Sequence, residues 1–275
     1  MFAEDEAELL LGAAGIAGEL DAMVDRRVAG LPLEQVLGWA AFCGLRIVIA
    51  PGVFVPRRRT EFLAKQAIGL AAPDAVVLDM CCGAGPVGAA VLAARPGVDL
   101  YAVDIDPVAV GCARRNVAAA GGQEDHVYAG DLYEPLAAEL RGRVDVLVSN
   151  APYVPTEAIA LMPPEAREYE PRVALDGGAD GLDVQRRVIE AAPLWLAPGG
   201  HCWSRPASAR RQGRWMPSRA VGSPVGWHGR RSTTRPSSSA PGPRAAEVCR
   251  RPGHALTRRR ASVLSLGCDG CRKSV

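Results

Sequence analysis

The sequence lacks the features that would place it in a membrane or outside the cell. No apolar run reaches the roughly 20 residues of a membrane-spanning helix, and the opening Met1-Phe2-Ala3-Glu4-Asp5-Glu6 is acidic where a secretory signal would be basic. A cytoplasmic address with no membrane partner is the expectation. Eight cysteines in 275 residues are too few and too scattered for a secreted disulfide framework, and Cys81-Cys82 are neighbours, so reduced thiols are expected. Cys43 and Cys112 read as small buried hydrophobes, and His126 as an ordinary strand-end histidine. No His/Cys/Asp cluster before residue 202 has metal-ligand spacing, so no metal is expected. The run Asp176-Gly177-Gly178-Ala179-Asp180-Gly181 lacks the later glutamate of a calcium loop.

Serine is nearly missing from most of the chain: Ser149 is the only one before residue 202, and eleven follow. Charge breaks at the same place. Residues 1–201 hold 16 Lys+Arg against 28 Asp+Glu, a net of −12, whereas residues 202–275 hold 16 against 2, a net of +14. At face value the second part is a basic, low-complexity arm of the kind that binds nucleic acid, with a single weak Cys-x-x-Cys at Cys268 and Cys271. The genetic code offers another reading. His201-Cys202-Trp203 requires CAY-TGY-TGG, and reading one nucleotide earlier forces Leu-Leu, the start of the strand that should follow Pro198-Gly199-Gly200. Residues 202–275 are therefore read as a frameshifted or disordered tail. A chain ending its order there would leave an unpaired apolar edge beside Val144–Val148.

Before the break, apolar spacing from Glu4 to Val28 predicts one or two helices. The β-prone runs 45–49 and 53–55, separated by Ala50-Pro51-Gly52, predict a hairpin. From Ala75 the text alternates: strand 75–79, a small-residue turn 80–85, helix 87–94, strand 98–103, helix 108–120, strand 144–148, helix 182–196. Such alternation predicts an α/β fold with a doubly wound, mostly parallel sheet.

Ligands of such sheets sit beyond the carboxyl ends of the strands, which brings Asp79, Asp104, Asp131 and Asn150 to one crevice. Gly83 and Gly85 permit a tight turn and close backbone approach, and Asp104 suits two ribose hydroxyls. The turn Asp79-Met80-Cys81-Cys82-Gly83-Ala84-Gly85 lacks the G-x-G-x-x-G spacing that cradles a pyrophosphate. A phosphate-free nucleoside fits better, and S-adenosylmethionine is one, with its adenine against Leu132 and its amine near Asp131.

Asn150-Ala151-Pro152-Tyr153 closes a strand. An amide nitrogen is a poor nucleophile because its lone pair is delocalised, so methylating it requires both N–H bonds to be held while the lone pair is aimed. The side-chain oxygen of Asn150 and the carbonyl of Ala151 are two such acceptors; Pro152 biases Ala151 to an extended backbone, and Tyr153 can cover a planar target. No strong base is demanded. Adenine's exocyclic amine poses the same problem, and nothing in the motif separates the two acceptors.

The order Pro56-Arg57-Arg58-Arg59-Thr60-Glu61, Val77 to Gly85, Ala102-Val103-Asp104-Ile105-Asp106-Pro107, Gly130-Asp131-Leu132-Tyr133, Ser149 to Tyr153 and Tyr169-Glu170-Pro171-Arg172 resembles the HemK-type protein-glutamine methyltransferases over about residues 26–200. The resemblance implies methylation of the glutamine of a Gly-Gly-Gln motif in peptide chain release factors. It implies S-adenosylmethionine held by the turn Cys81, Cys82, Gly83, Ala84 and Gly85 and by Asp104, Leu132 and Asn150, beside the Asp79 and Asp131 read from the crevice, with the target amide gripped at 150–153. Cys81-Cys82 stand where the family usually has Gly and a small polar residue, Leu132 often corresponds to an aromatic, Ala151 replaces a proline, and the N-terminal module is shorter. These departures point to a related branch, whose protein substrate need not be a release factor. The implied division is a helical module over 1–34, a hairpin and connector over 35–59, a C-terminally incomplete methyltransferase domain over 60–201, and the tail.

Three functions follow: methyl transfer to a protein glutamine, methyl transfer to adenine in DNA or RNA, and a non-catalytic cofactor-binding or RNA-associated module. The net charge of −12 before residue 202 is wrong for a surface that must neutralise phosphates, so nucleic acid is a partner only if the basic tail is genuine. Arg57-Arg58-Arg59 is read as a solvated run with substrate contact as the minor alternative.

Overall fold

A computed structural model describes residues 3–204, 216–217 and 249–250. The tail's basic runs and its Cys268/Cys271 pair lie outside the described residues, as does nearly all of the proposed out-of-frame segment.

Two helices open the chain, α1 (Ala3–Ala13) and α2 (Ala17–Val28), followed by the short α3 (Leu33–Leu37). Leu10, Met23, Leu33 and Val36 make a small core of their own, so this module packs as the 3.6-residue spacing predicts. Its last helix crosses the expected 34/35 boundary.

The hairpin differs from expectation. Residues 45–49 pair not with 53–55 but backwards, β1 (Trp39–Phe42) with β2 (Leu45–Val48), antiparallel. The turn decides it. Cys43 and Gly44 both have positive φ, 49° and 78°, the two-residue geometry whose twist matches a hairpin. Cys43 is accordingly half-exposed rather than a buried hydrophobe. Val53 and Val55 are fully buried without joining a strand, because Pro56 follows and the Val55 amide is taken by the Glu170 carboxylate at 3.1 Å.

A 3₁₀ turn (Arg58–Thr60) leads into α4 (Glu61–Leu70). Then come β3 (Val76–Met80), α5 (Pro86–Ala94), β4 (Asp99–Asp104), α6 (Pro107–Ala119), β5 (Val127–Ala129) and β6 (Val144–Ser149). After β6 lie the short helices α7 (Pro164–Tyr169) and α8 (Arg172–Leu175), then α9 (Asp183–Trp195) and β7 (Leu196–Ser204). The order across the sheet is β5-β4-β3-β6-β7, every one of these pairs parallel. Two short pieces, β8 (Met216–Pro217) and β9 (Cys249–Arg250), pair antiparallel with β7.

Both faces of the sheet are covered, which is why β3 is buried at every position and reads as a continuous apolar run. Side chains alternate: Val77 packs with α4, α5 and α6 in one core, while Val76, Leu78 and Met80 pack with Val188, Ala192 and Trp195 of α9 in the other.

One expectation is overturned at the sheet edge. Val144–Val148 is not left unpaired: β7 lies alongside, with Val146 opposite His201, Leu147 opposite Cys202 and Val148 opposite Trp203. Cys202 and Trp203, beyond the compositional break, are buried on opposite faces of the sheet. The break falls inside a strand, because burial follows pleat and pairing, and these two side chains are apolar whatever follows them.

Candidate active site

The strand order reverses between β3 and β6, and the crevice at the carboxyl ends of the strands opens there, as the architecture requires. It holds about 1140 Å³ of space open to solvent. Asp79, Cys81, Cys82, Gly83, Ala84, Asp104, Asp131, Leu132, Asn150, Pro152 and Tyr153 all line it. Gly85 and Ala151 are chain neighbours of lining residues.

The first wall is the turn after β3. Cys81, Gly83 and Gly85 all take left-handed backbone, with φ of 58°, 57° and 74°. That explains why glycine suits position 81 in similar turns, since a side chain there carries strain. The Gly85 amide donates to the Cys82 carbonyl at 2.9 Å, and the Cys82 amide to the Val103 carbonyl at 3.0 Å, closing the turn onto β4. A Cβ on Gly85 would sit 3.2 Å from the Ala113 Cα, so this glycine serves the packing of α5 on α6. A Cβ on Gly83 would meet nothing within 4 Å, so that backbone faces open space, where a ligand can approach. Burial pushes the thiols of Cys81 and Cys82 far above the ordinary range, which disfavours the nucleophilic thiolate.

Asp79 and Asp104 are the acids of this wall. The Gly88 amide donates to Asp79 Oδ2 at 2.9 Å, tying β3 to α5; burial nevertheless pushes its carboxyl up to about 7, with the Asp104 charge adding to the rise. Asp104 takes the Gly83 amide on Oδ2 at 2.7 Å and the Asp106 amide on Oδ1 at 2.9 Å. Burial raises its pKa too, and those amides oppose the rise. Each oxygen keeps a second lone pair, which leaves a fixed two-oxygen acceptor at the end of β4.

The opposite wall comes from β5, β6 and α9. Asp131 lines the crevice with a partner the sequence did not suggest: its Oδ2 accepts from Arg187 of α9 at 2.7 Å. Leu132 is buried with a φ of 52°. The Asn150 Oδ1 is buried and takes no hydrogen bond among the described residues, a desolvated acceptor on a residue that lines the crevice and that an outside donor would satisfy.

Sequence reasoning missed several residues here. Arg187 lies 56 positions from the acid it pairs with. Thr60, buried at the foot of α4, lines the crevice, and its buried hydroxyl has no partner among the described residues. Arg57 clasps the buried Glu170 carboxylate with one nitrogen 2.6 Å from both oxygens, and Arg59 donates to the Tyr153 hydroxyl at 2.6 Å. The arginine run is thus not simply solvated. The sequence signal was the run's place beside the motif set, but only the fold could give each arginine its partner.

The residues fit a nucleoside cofactor without phosphate: an open glycine backbone, a fixed two-oxygen acceptor for ribose, apolar Leu132 and Val103 as walls, and no basic cluster suited to a pyrophosphate at the turn.

The family model that matches is the methyltransferase small domain, over residues 44–162. Three curated relatives, each a release factor glutamine methyltransferase, are similar. That of Geobacter sulfurreducens is 42% identical over 178 residues, covering 65% of this chain and 61% of the relative. That of Mycolicibacterium smegmatis is 40% identical over 182, covering 66% and 63%. That of Bifidobacterium longum is 34% identical over 203, covering 69% and 68%. The chain thus spans a little over three-fifths of the length of the first two relatives it matches.

Proposed function

The chain belongs to the release factor glutamine methyltransferase family, and on that premise we propose that it methylates the side-chain amide nitrogen of a glutamine in a protein, the Gly-Gly-Gln glutamine of a release factor being the first acceptor to test. The single observation that carries this reading is the buried, unpartnered Asn150 Oδ1 at the end of β6, followed by the Ala151 carbonyl and Tyr153. The Asn150 oxygen has no partner among the described residues, so one N–H of a planar NH₂ would satisfy it.

S-Adenosylmethionine supplies an electrophilic methyl on a sulfonium. This chain's residues do the rest. Asp104 would hold the ribose hydroxyls, the backbone at Gly83 would admit the amino-acid arm, and Leu132 would flank the adenine. Asp131, already paired with Arg187, would share its remaining oxygen with the adenine amine. Asn150 Oδ1 and the Ala151 carbonyl accept the two N–H bonds of the target, which localises density on the nitrogen and aims it. Tyr153 covers one face of the amide plane and leaves its edge open to solvent. The proton lost from nitrogen after transfer passes to solvent, so no buried base is required, and Asp79, tied to Gly88, need not serve as one.

Incubating the full chain with methyl-labelled cofactor and a Gly-Gly-Gln peptide or intact release factor should place one methyl on that glutamine, located by mass spectrometry. Asn150→Ala should lower kcat about 100-fold or more, as loss of a preorganised partner does, with cofactor affinity less affected. Label in adenine of DNA or RNA, and none in protein, would replace this reading with its rival.

A further inference from the structure

We propose that Arg59 is the positioning residue of this site, holding the Tyr153 ring in place over the acceptor amide; the inference rests on the glutamine reading above.

The backbone around Tyr153 is clamped from one side. The Val154 amide donates to the Leu175 carbonyl at 2.9 Å and the Gly177 amide to the Val154 carbonyl at 2.8 Å. Gly181 packs so closely that a Cβ there would lie 2.5 Å from the Tyr153 carbonyl oxygen. Those contacts fix the peptide and leave the ring's side-chain torsions to be set by its surroundings. Arg59 acts there: its Nη2 is 2.6 Å from the phenol oxygen, and its guanidinium carbon stands 6.0 Å from the ring centroid. A guanidinium has only N–H donors and no acceptor, so its contact to the phenol oxygen runs in one direction.

Arg59 is itself on a stiff base. The 3₁₀ turn that carries it begins where Arg57 grips Glu170, is closed by the Thr60 amide on the Arg57 carbonyl at 2.8 Å, and ends in α4. Arg59 is exposed, so the contact adds little to stability, and its consequence is geometric. Arg58, adjacent and equally exposed, makes no such contact among the described residues and is the internal control.

The full chain is prepared with 3-fluorotyrosine as wild type, Arg59→Ala, Arg59→Lys, Arg58→Ala, Tyr153→Phe and Arg59→Ala/Tyr153→Phe. Loss of a fluorine resonance in Tyr153→Phe assigns Tyr153. Arg59→Ala should shift and broaden that resonance and lower kcat about tenfold, the scale expected for a misplaced covering group, with cofactor Kd within about twofold of wild type. Arg59→Lys should recover part of both signals. In the Tyr153→Phe background, Arg59→Ala should cost far less, because the phenol it donates to is gone and only the 6.0 Å ring contact remains. The proposal is overturned if the Tyr153 resonance ignores Arg59→Ala, or if the loss in kcat is the same in both backgrounds. Should the wild type transfer no methyl to glutamine, the resonance decides alone: a shift in Arg59→Ala but not Arg58→Ala keeps the positioning role while the acceptor reading fails.

Discussion

At the scale of single residues, two glycines of one turn do different work, and the difference is measurable. Gly83→Ala and Gly85→Ala both force a side chain into left-handed backbone, at a cost of about 1 kcal/mol each. Only at Gly85 does the new Cβ also press on the Ala113 backbone. Chemical denaturation should therefore show Gly85→Ala less stable by about 2–3 kcal/mol. Gly83→Ala should cost about 1 kcal/mol but weaken cofactor binding more than Gly85→Ala does, as calorimetric titration would show. Asp79 makes a pH prediction. Its carboxyl, pushed up to about 7 by burial, holds a proton in the folded protein that the unfolded chain releases above about pH 4. Its contribution to stability is thus fully present below pH 4 and is lost as pH rises to about 7, with a slope of up to about 1.4 kcal/mol per pH unit. Asp79→Asn should flatten that part of the stability profile; an unchanged slope would mean another group titrates.

At the scale of elements, Asn116 joins three pieces that no sequence pattern connects. From α6 its Nδ2 donates to the Val48 carbonyl of β2 and the Ala84 carbonyl of the cofactor turn, while its Oδ1 accepts the Val48 amide at 2.8 Å. Truncation leaves buried backbone groups unpaired. Asn116→Ala should cost about 2–4 kcal/mol, and amide exchange should quicken at Val48 as well as along α6; protection unchanged at Val48 would refute the link. The hairpin is the element misread from sequence, since Val53 and Val55 have strand-forming side chains and yet join no strand among the described residues. Their burial is paid by packing, and Glu170, far along the chain, takes the Val55 amide. The alternating strands and helices after Ala75 were legible because a buried parallel strand and an amphipathic helix each impose a period on the text.

At the scale of the whole molecule, the sheet edge beside β6 is closed by β7, and Trp203 is the largest fully buried side chain in that closure. Its indole Nε1 is buried without an acceptor among the described residues. Trp203→Ala should then cost about 3–5 kcal/mol, whereas Trp203→Phe, which removes the unpaired donor, should lie within about 1.5 kcal/mol of wild type; equal losses would place Trp203 outside the core. The sequence by itself determined the alternation of strand and helix, the glycine turn, and the convergence of Asp79, Asp104, Asp131 and Asn150 on one crevice, because these depend on local period, backbone freedom and the handedness of parallel crossovers. Only the tertiary structure decided that Asp131 belongs to Arg187, that Arg57 and Arg59 belong to Glu170 and Tyr153, and that the edge strand runs through Trp203. Each of those pairings spans 56 or more residues, or a register across the sheet, and a long side chain finds its partner only after the elements that carry both have packed.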